Sequence, residues 1–215
     1  MGSERDLRDL RREYVAEPLQ EAGMAADPVQ QFERWFEQIV QLQPDSANAM
    51  VLATANSDGC PAARVVLLKH FDAAGFCWYS DYRSHKGQEL AANPQAELLF
   101  YWPQLERQVR IWGHVSRLER ADAERYFAQR PRGSQISAAA GSQSAVVGSR
   151  EDLVAAAMDL EERYHAQPIP CPPHWGGYRL APERFEFWQG RENRLHDRVV
   201  YGRQLNGWQL VRLAP

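Results

Sequence analysis

Three short apolar runs follow one another at residues 49–55, 64–70 and 76–80, with only turn residues between them: Asn56-Ser57-Asp58-Gly59 after the first and residues 72–75 after the second. Strands this short and this closely spaced predict an antiparallel meander. Further strands are predicted at 96–102, 108–118, 175–180, 185–189, 198–203 and 208–213, the last after an Asn206-Gly207 hairpin turn. Helices fall irregularly among them, at 84–92, 120–129 and 151–165, and a proline-rich loop occupies 168–173. A strict strand–helix–strand alternation is missing, which argues against a doubly wound parallel sheet. The expected class is α+β, mainly β: an antiparallel β-barrel with flanking helices.

Asp27-Pro28 opens a further helix, with Asp27 as its cap and proline in its first turn. Val29, Phe32, Trp35, Phe36, Ile39 and Val40 recur at helical period, a stripe that belongs to a core rather than to a cofactor. Residues 7–14 read as a short, very polar helix joined by a linker at 23–27, so residues 1–26 are expected to form a mobile N-terminal segment. One domain is expected over 27–215, with a helical subdomain at about 120–167.

With 44% hydrophobic residues in 215, the chain can bury a core, so disorder is not the default. Its net charge of −3 does not suit a general grip on nucleic acid. Any basic site must be local, which favours a small anion. Cys60, Cys77 and Cys171 form no C-x-x-C pair, so neither a zinc site nor a disulfide framework is signalled. A reduced, cytoplasmic setting is expected. No run is long and apolar enough to span a membrane. Of 25 basic residues only Lys69 and Lys86 are lysine, retained either by chance or where a compact point charge is wanted rather than a planar fork.

Nucleotide-binding glycine motifs, metalloprotease motifs and nucleophile elbows are absent, and the six histidines show no ligand spacing. If the chain is an enzyme, a bound organic cofactor is expected to carry the chemistry. Arg64-Val65-Val66-Leu67-Leu68-Lys69 reads as a strand with a cation on each face, suited to two anions or simply to solvent at its ends. Tyr79-Ser80 and then Ser84-His85-Lys86 lead into a helix N-terminus, a phosphate site or an ordinary capped start. Tyr126, Arg130 and Ser134 offer two hydroxyls and a guanidinium across a helix end, and Gln143-Ser144 lies in a stretch (134–149) rich in small residues that also reads as a loop. Glu186 to Arg198 packs Trp188, Arg191, Arg194, Leu195, His196 and Arg198 closely, a set suited to a flat anionic aromatic ligand or to a charged turn.

Taken together, Arg64 to Lys69, Glu106-Arg107-Gln108-Val109, Arg130-Pro131 with Ser134-Gln135-Ile136, Gln143-Ser144, Trp175-Gly176-Gly177 and Glu186 to Arg198 resemble the pyridoxine (pyridoxamine) 5′-phosphate oxidase family. The likeness spans nearly the whole chain. It implies a split β-barrel flavoprotein that makes pyridoxal 5′-phosphate, using dioxygen (O2) as acceptor and releasing hydrogen peroxide. It implies FMN binding at Arg64, Val65, Val66, Leu67, Leu68, Lys69, Tyr79, Ser80, His85, Lys86, Gln108, Gln143, Ser144, Trp188 and Arg198. It implies that Lys69, Tyr126, Arg130 and Ser134 hold the substrate phosphate, that Arg194, Leu195 and His196 flank the pyridine ring with Arg194 and His196 catalytic, and that Arg11, Arg12 and Tyr14 act as a lid. It further implies a homodimer with FMN sites at its interface. His85 departs from the family, which usually has Arg before this lysine, and Ser137 and Gly141 depart in the small-residue stretch. A sister flavin oxidase acting on a different aromatic substrate such as a phenazine precursor and a non-catalytic flavin- or pyridoxal-phosphate-binding carrier are the alternatives, with a nucleic-acid-binding barrel third and disfavoured by the net charge.

Overall fold

The computed structural model describes residues 13–215. In chain order the elements are α1 (Pro28–Leu42), β1 (Ala49–Ala55), β2 (Pro61–Leu67), β3 (His70–Asp72), β4 (Gly75–Asp81), α2 (His85–Ala92), β5 (Gln95–Trp102), β6 (Arg107–Arg117), α3 (Arg120–Gln129), α4 (Arg132–Ala140), α5 (Arg150–Arg163), β7 (Trp175–Gln189), β8 (Asp197–Gln204) and β9 (Gly207–Leu213). The strands form one sheet in the order β2-β1-β5-β6-β7-β4-β3, with β8 on β7 and β9 on β8. The β1–β2, β1–β5, β3–β4, β4–β7, β7–β8 and β8–β9 ladders are antiparallel, so the expected mainly-β α+β class holds. Among the described residues no helix is long and apolar enough to cross a membrane.

The chain forms two compact units: one of residues up to Ala47 with Tyr101–Arg110 and Arg184–Pro215, the other of Asn48–Phe100 and Ile111–Glu183. In the first, Asp27 Oδ1 accepts the Val29 N–H at 2.7 Å and starts α1 as expected. Phe32, Trp35 and Ile39 of its stripe are buried, whereas Val40 is exposed. Trp35 meets Phe187 edge-on at 5.2 Å, and the Arg107 guanidinium lies 4.3 Å over the Trp35 ring. The Tyr201 hydroxyl donates to Ala25 O at 2.7 Å, tying β8 to the chain two residues before the helix cap.

In the second unit β1 alternates as a half-buried strand should, with Met50, Leu52 and Thr54 facing inward. Phe127, Ile136, Ile169 and Trp175 form a core under α3 and α4.

Four local expectations are corrected. The strand expected at 64–70 is β2, shifted to Pro61–Leu67, because its ladder with β1 runs from Ala55↔Pro61 to Ala49↔Leu67. Lys69 lies beyond it, with its N–H donating to Cys77 O at 2.9 Å. The two strands expected at 175–180 and 185–189 are one, β7. Its partners change between Leu180 and Arg184, and Pro182, which has no N–H to give, falls in that window. Residues 132–140, expected as loop, are helix α4: Arg132 donates to Glu161 Oε1 at 2.7 Å, Tyr164 O at 2.8 Å and Gln167 O at 3.0 Å, and Ile136 is buried. Tertiary anchoring here overrides the weak propensity of Gly and Ser. The last hairpin pairs Gln204 with Gly207, so Leu205-Asn206 rather than Asn206-Gly207 make the turn. The expected helix at 7–14 falls largely on residues outside those described, and Glu13 and Tyr14 are not helical.

Candidate active site

The second unit holds a cavity of about 940 Å³, within the range of cofactor sites. β2 supplies one wall through Arg64, Val65, Val66 and Leu67, and Lys69 follows. At its floor the Lys86 amine donates to Gln143 Oε1 at 2.7 Å and to Ser80 Oγ and Ser84 Oγ at 3.2 Å. All three partners are neutral. Burial, then the nearby Arg64, pulls the Lys86 amine below its ordinary value. Ser84 caps α2 by accepting the Gly87 N–H at 3.3 Å, so this ammonium stands at a helix N-terminus. His85 is exposed on the same rim. Arg64 is engaged by Glu89 at 3.0 Å and by the Thr54 hydroxyl. Asp81 organises the facing loop: it binds Arg83 at 2.7 Å, Arg83 donates to Gly141 O at 2.8 Å, and Asp81 accepts the Gln143 N–H at 3.3 Å. Those contacts hold the Asp81 carboxyl below its usual range against the opposing effect of burial, which is the largest single influence.

A second cationic centre lies in the same cavity. Tyr79 stacks on Tyr126 at 4.1 Å and on Trp175 at 5.4 Å, and Arg130 lies 4.8 Å over the Trp175 ring. Gly177 permits this stack, since a Cβ there would come within 2.8 Å of Tyr79 Cε1. Arg130 Nη1 is buried without a hydrogen-bond partner among the described residues. Desolvation lowers its pKa. Ser134, at the start of α4, and Lys69 line the same cavity. A guanidinium with one buried N–H, hydroxyls and an ammonium are the donor set of a phosphate. The two centres thus fit a phosphorylated flavin and a phosphorylated substrate.

The first unit gathers the other expected residues. Tyr14 meets Trp188 edge-on at 5.6 Å and His196 at 5.3 Å, and Trp188 and His196 lie 4.7 Å apart. The Arg191 N–H donates to His196 Nδ1 at 3.1 Å, so neutral His196 carries its proton on Nε2. Desolvation, then Arg194, lowers the His196 pKa below 6.5. Asn193 (φ 54°) and Arg194 (φ 61°) are both left-handed, costing about 1–2 kcal/mol for a residue such as arginine and fixing an exposed guanidinium in a turn. Arg198 forks onto buried Glu186 at 2.8 and 3.1 Å.

A profile of the pyridoxamine 5′-phosphate oxidase family matches residues 36–164, more than half of the chain. The chain belongs to this family. A profile of the pyridoxine 5′-phosphate oxidase C-terminal dimerisation region matches residues 175–215. Pyridoxine/pyridoxamine 5′-phosphate oxidases of Rubrobacter xylanophilus and Acaryochloris marina are similar, at 53% identity over all of this chain and 99% of the relative, and 51% over 97% and 95%. PhzG of Burkholderia lata, solved with tetrahydrophenazine-1-carboxylic acid, superposes with a TM-score of 0.86 at 30% identity, covering 93% of this chain and 99% of PhzG. A pyridoxamine 5′-phosphate oxidase-related, FMN-binding protein of Nostoc punctiforme superposes at 0.70 with 18% identity over 90% and 100%, sharing the split-barrel fold.

Measured against the family expectation, Arg64, Val65, Val66, Leu67, Lys69, Tyr79, Ser80, His85, Lys86, Tyr126, Arg130, Ser134, Gln143 and Ser144 all line one cavity. Leu68 is buried in the core instead. Gln108, Trp188, Arg194, Leu195, His196, Arg198 and Tyr14 belong to the first unit. Arg11 and Arg12 lie outside the described residues. Sequence reading gave no role to Trp175, Asp81 or Arg83; only the Trp175-Gly176-Gly177 piece carried a signal.

Proposed function

We propose that the chain is an FMN-dependent oxidase converting pyridoxine 5′-phosphate and pyridoxamine 5′-phosphate to pyridoxal 5′-phosphate in vitamin B6 salvage, as a cytoplasmic homodimer. The observation that carries this reading is Arg130, whose buried Nη1 has no hydrogen-bond partner among the described residues and which lines the cavity with Tyr126, Ser134 and Lys69. A substrate without a phosphate has no use for it, which weighs against a phenazine precursor of the kind that the PhzG likeness brings to mind.

When bound, FMN supplies a two-electron acceptor: the substrate loses a C4′ hydride and a proton, O2 leaves as hydrogen peroxide, and with the amine substrate water hydrolyses the imine to aldehyde and ammonia. Lys86, Ser80 and Gln143 hold the flavin phosphate at the N-terminus of α2. Tyr126, Arg130, Ser134 and Lys69 hold the substrate phosphate, and that remote grip aligns the reacting carbon. Residues 175–215 pair two chains, and each flavin site at their interface draws residues from both, with Trp188 and Arg198 on the flavin and Arg194 and His196 on the substrate ring. Arg194 orients the ring. His196, with Nδ1 already accepting a hydrogen bond, acts through Nε2–H as a donor to the ring hydroxyl.

Protonating His196 would put an N–H on Nδ1 against the Arg191 N–H. Its folded pKa lies below the 6.5 of the free group, so its stabilising effect is present above 6.5 and lost as pH falls through the lowered value. The kcat/KM profile should therefore be flat above neutrality, with an acid limb below pH 6.5 that disappears in His196→Asn. An acid limb retained in that variant would assign it to another group. Arg194→Met should lower kcat/KM by about 10²-fold, and unchanged turnover would remove Arg194 from catalysis.

The test of the whole reading is a visible spectrum of the purified protein, with pyridoxamine 5′-phosphate then added without air. A flavin band that bleaches, and returns with air as pyridoxal 5′-phosphate appears, supports it. A flavin band that stays unbleached overturns the oxidase.

A further inference from the structure

Within Glu106-Arg107-Gln108-Val109, the family likeness gives a role to Gln108 alone. Glu106 is 8% exposed and sits at φ 54°, a left-handed conformation that is strained for glutamate. One of its oxygens, Oε2, accepts two successive main-chain donors, Val15 N–H at 2.9 Å and Ala16 N–H at 3.0 Å. Its own carbonyl accepts the Gly190 N–H at 2.8 Å and the Gln189 side-chain amide at 3.0 Å. A single strained residue thus joins the 14–16 segment to the end of β7.

We infer that Glu106 is a positioning residue whose carboxylate clamps the chain at residues 15–16 and so seats the Tyr14 ring against His196 and Trp188. Three further contacts serve the same end. Gly190 leaves the slot for the ring, since a Cβ there would lie 2.4 Å from Tyr14 Cδ1. The Arg191 guanidinium donates to Ala16 O, while its main-chain N–H holds His196 Nδ1. Leu19 N–H donates to Asp197 Oδ2 at 3.0 Å, next to His196 in sequence. Hydrogen bonds to a charged acceptor are the stronger kind, and here one carboxylate oxygen holds two successive main-chain donors. Tyr14 covers His196, so releasing the clamp re-solvates the imidazole, whose charged neighbours are Arg194 and, along the same turn, Arg191 and Asp197.

The choice of substrate in the test rests on the oxidase reading; the clamp itself does not. In the full-length FMN-loaded protein, Glu106→Ala should raise KM for pyridoxamine 5′-phosphate about tenfold, the scale of one lost charge-assisted bond. Glu106→Gln keeps an accepting oxygen and should stay within about threefold of the parent. Glu106→Ala combined with Tyr14→Ala should be no worse than Tyr14→Ala alone, because both remove the same contact. The His196 titration, followed by NMR, should move up toward 6.5 in Glu106→Ala and in Tyr14→Ala but not in Glu106→Gln. If Glu106→Ala does not fold, Gly190→Ala displaces the ring with the clamp intact and should give the same His196 shift. Additive losses in the double variant, or a His196 titration unmoved when the clamp or the ring is displaced, would overturn the proposal. A parent protein that does not oxidise pyridoxamine 5′-phosphate would sink the oxidase reading alone, and the NMR comparison would still decide the clamp.

Discussion

Arg130→Ala should lower kcat/KM for pyridoxamine 5′-phosphate about 10³-fold and leave the melting temperature nearly unchanged. The two halves of that expectation have separate causes. Truncating one member of a desolvated charge pair costs about 2–5 kcal/mol, and about 4 kcal/mol corresponds to 10³-fold. In the protein alone, Arg130 gains a contact with the Trp175 face but also buries an N–H that no described residue accepts. A buried unsatisfied donor costs about 1–3 kcal/mol, against about 0.5–2 kcal/mol for a cation over a ring, so the two nearly offset. Steady-state kinetics with and without the substrate phosphate, beside a thermal melt, checks both. Equal losses for pyridoxamine and pyridoxamine 5′-phosphate would show that Arg130 does not read the phosphate.

Lys86→Met should weaken FMN binding about 10³-fold on the same scale without destabilising the flavin-free protein at pH 7. The Lys86 amine is buried, and that burial, aided by Arg64, lowers its pKa. A base whose folded pKa lies below its unfolded value is a cost to folding wherever it is charged. Stability of the flavin-free parent should therefore rise as pH climbs from the lowered value toward 10.5 and fall again on acidification, a slope that the Met variant lacks. Ser80 and Gln143 keep each other at 2.9 Å when the amine is gone. Flavin titration by fluorescence quenching, with melts of the flavin-free proteins across that pH range, reads both effects. Undiminished flavin affinity would remove Lys86 from the phosphate site.

Much of the cavity was legible because its residues lie on short local pieces. Ser84 capping α2, with Lys86 two residues on, is a local pattern, and so are Tyr126 and Arg130 one turn apart at the end of α3. The helix α4 was hidden because Gly133, Ser134 and Ser137 carry little helical preference. Its stability comes from Arg132 reaching Glu161 and the carbonyls beyond α5, contacts that local propensity does not contain. β7 was divided in two because Pro182 breaks a strand unless the ladder changes partners there, and partners are a property of the fold. The uses of Trp175, Asp81 and Glu106 were illegible for a similar reason: a ring stack, a loop tie and a clamp all join residues far apart in the chain. Glu106 accepts from a residue 91 positions away.

The first unit is assembled from three separated stretches, and the stretch that completes it is the last to be made. Leu19 bonds Asp197 across 178 residues, and Arg212 binds Glu21 across 191 at 2.7 Å. On the ribosome, therefore, α1 must wait with the Trp35 ring short of its Phe187 partner until the end of β7 emerges, and the segment before α1 must wait for β8 and β9. Contacts this distant in sequence close slowly, and a chain stalled or cut before residue 184 would lack the whole last stretch of this unit and leave Trp35 without Phe187, open to chaperones or to aggregation.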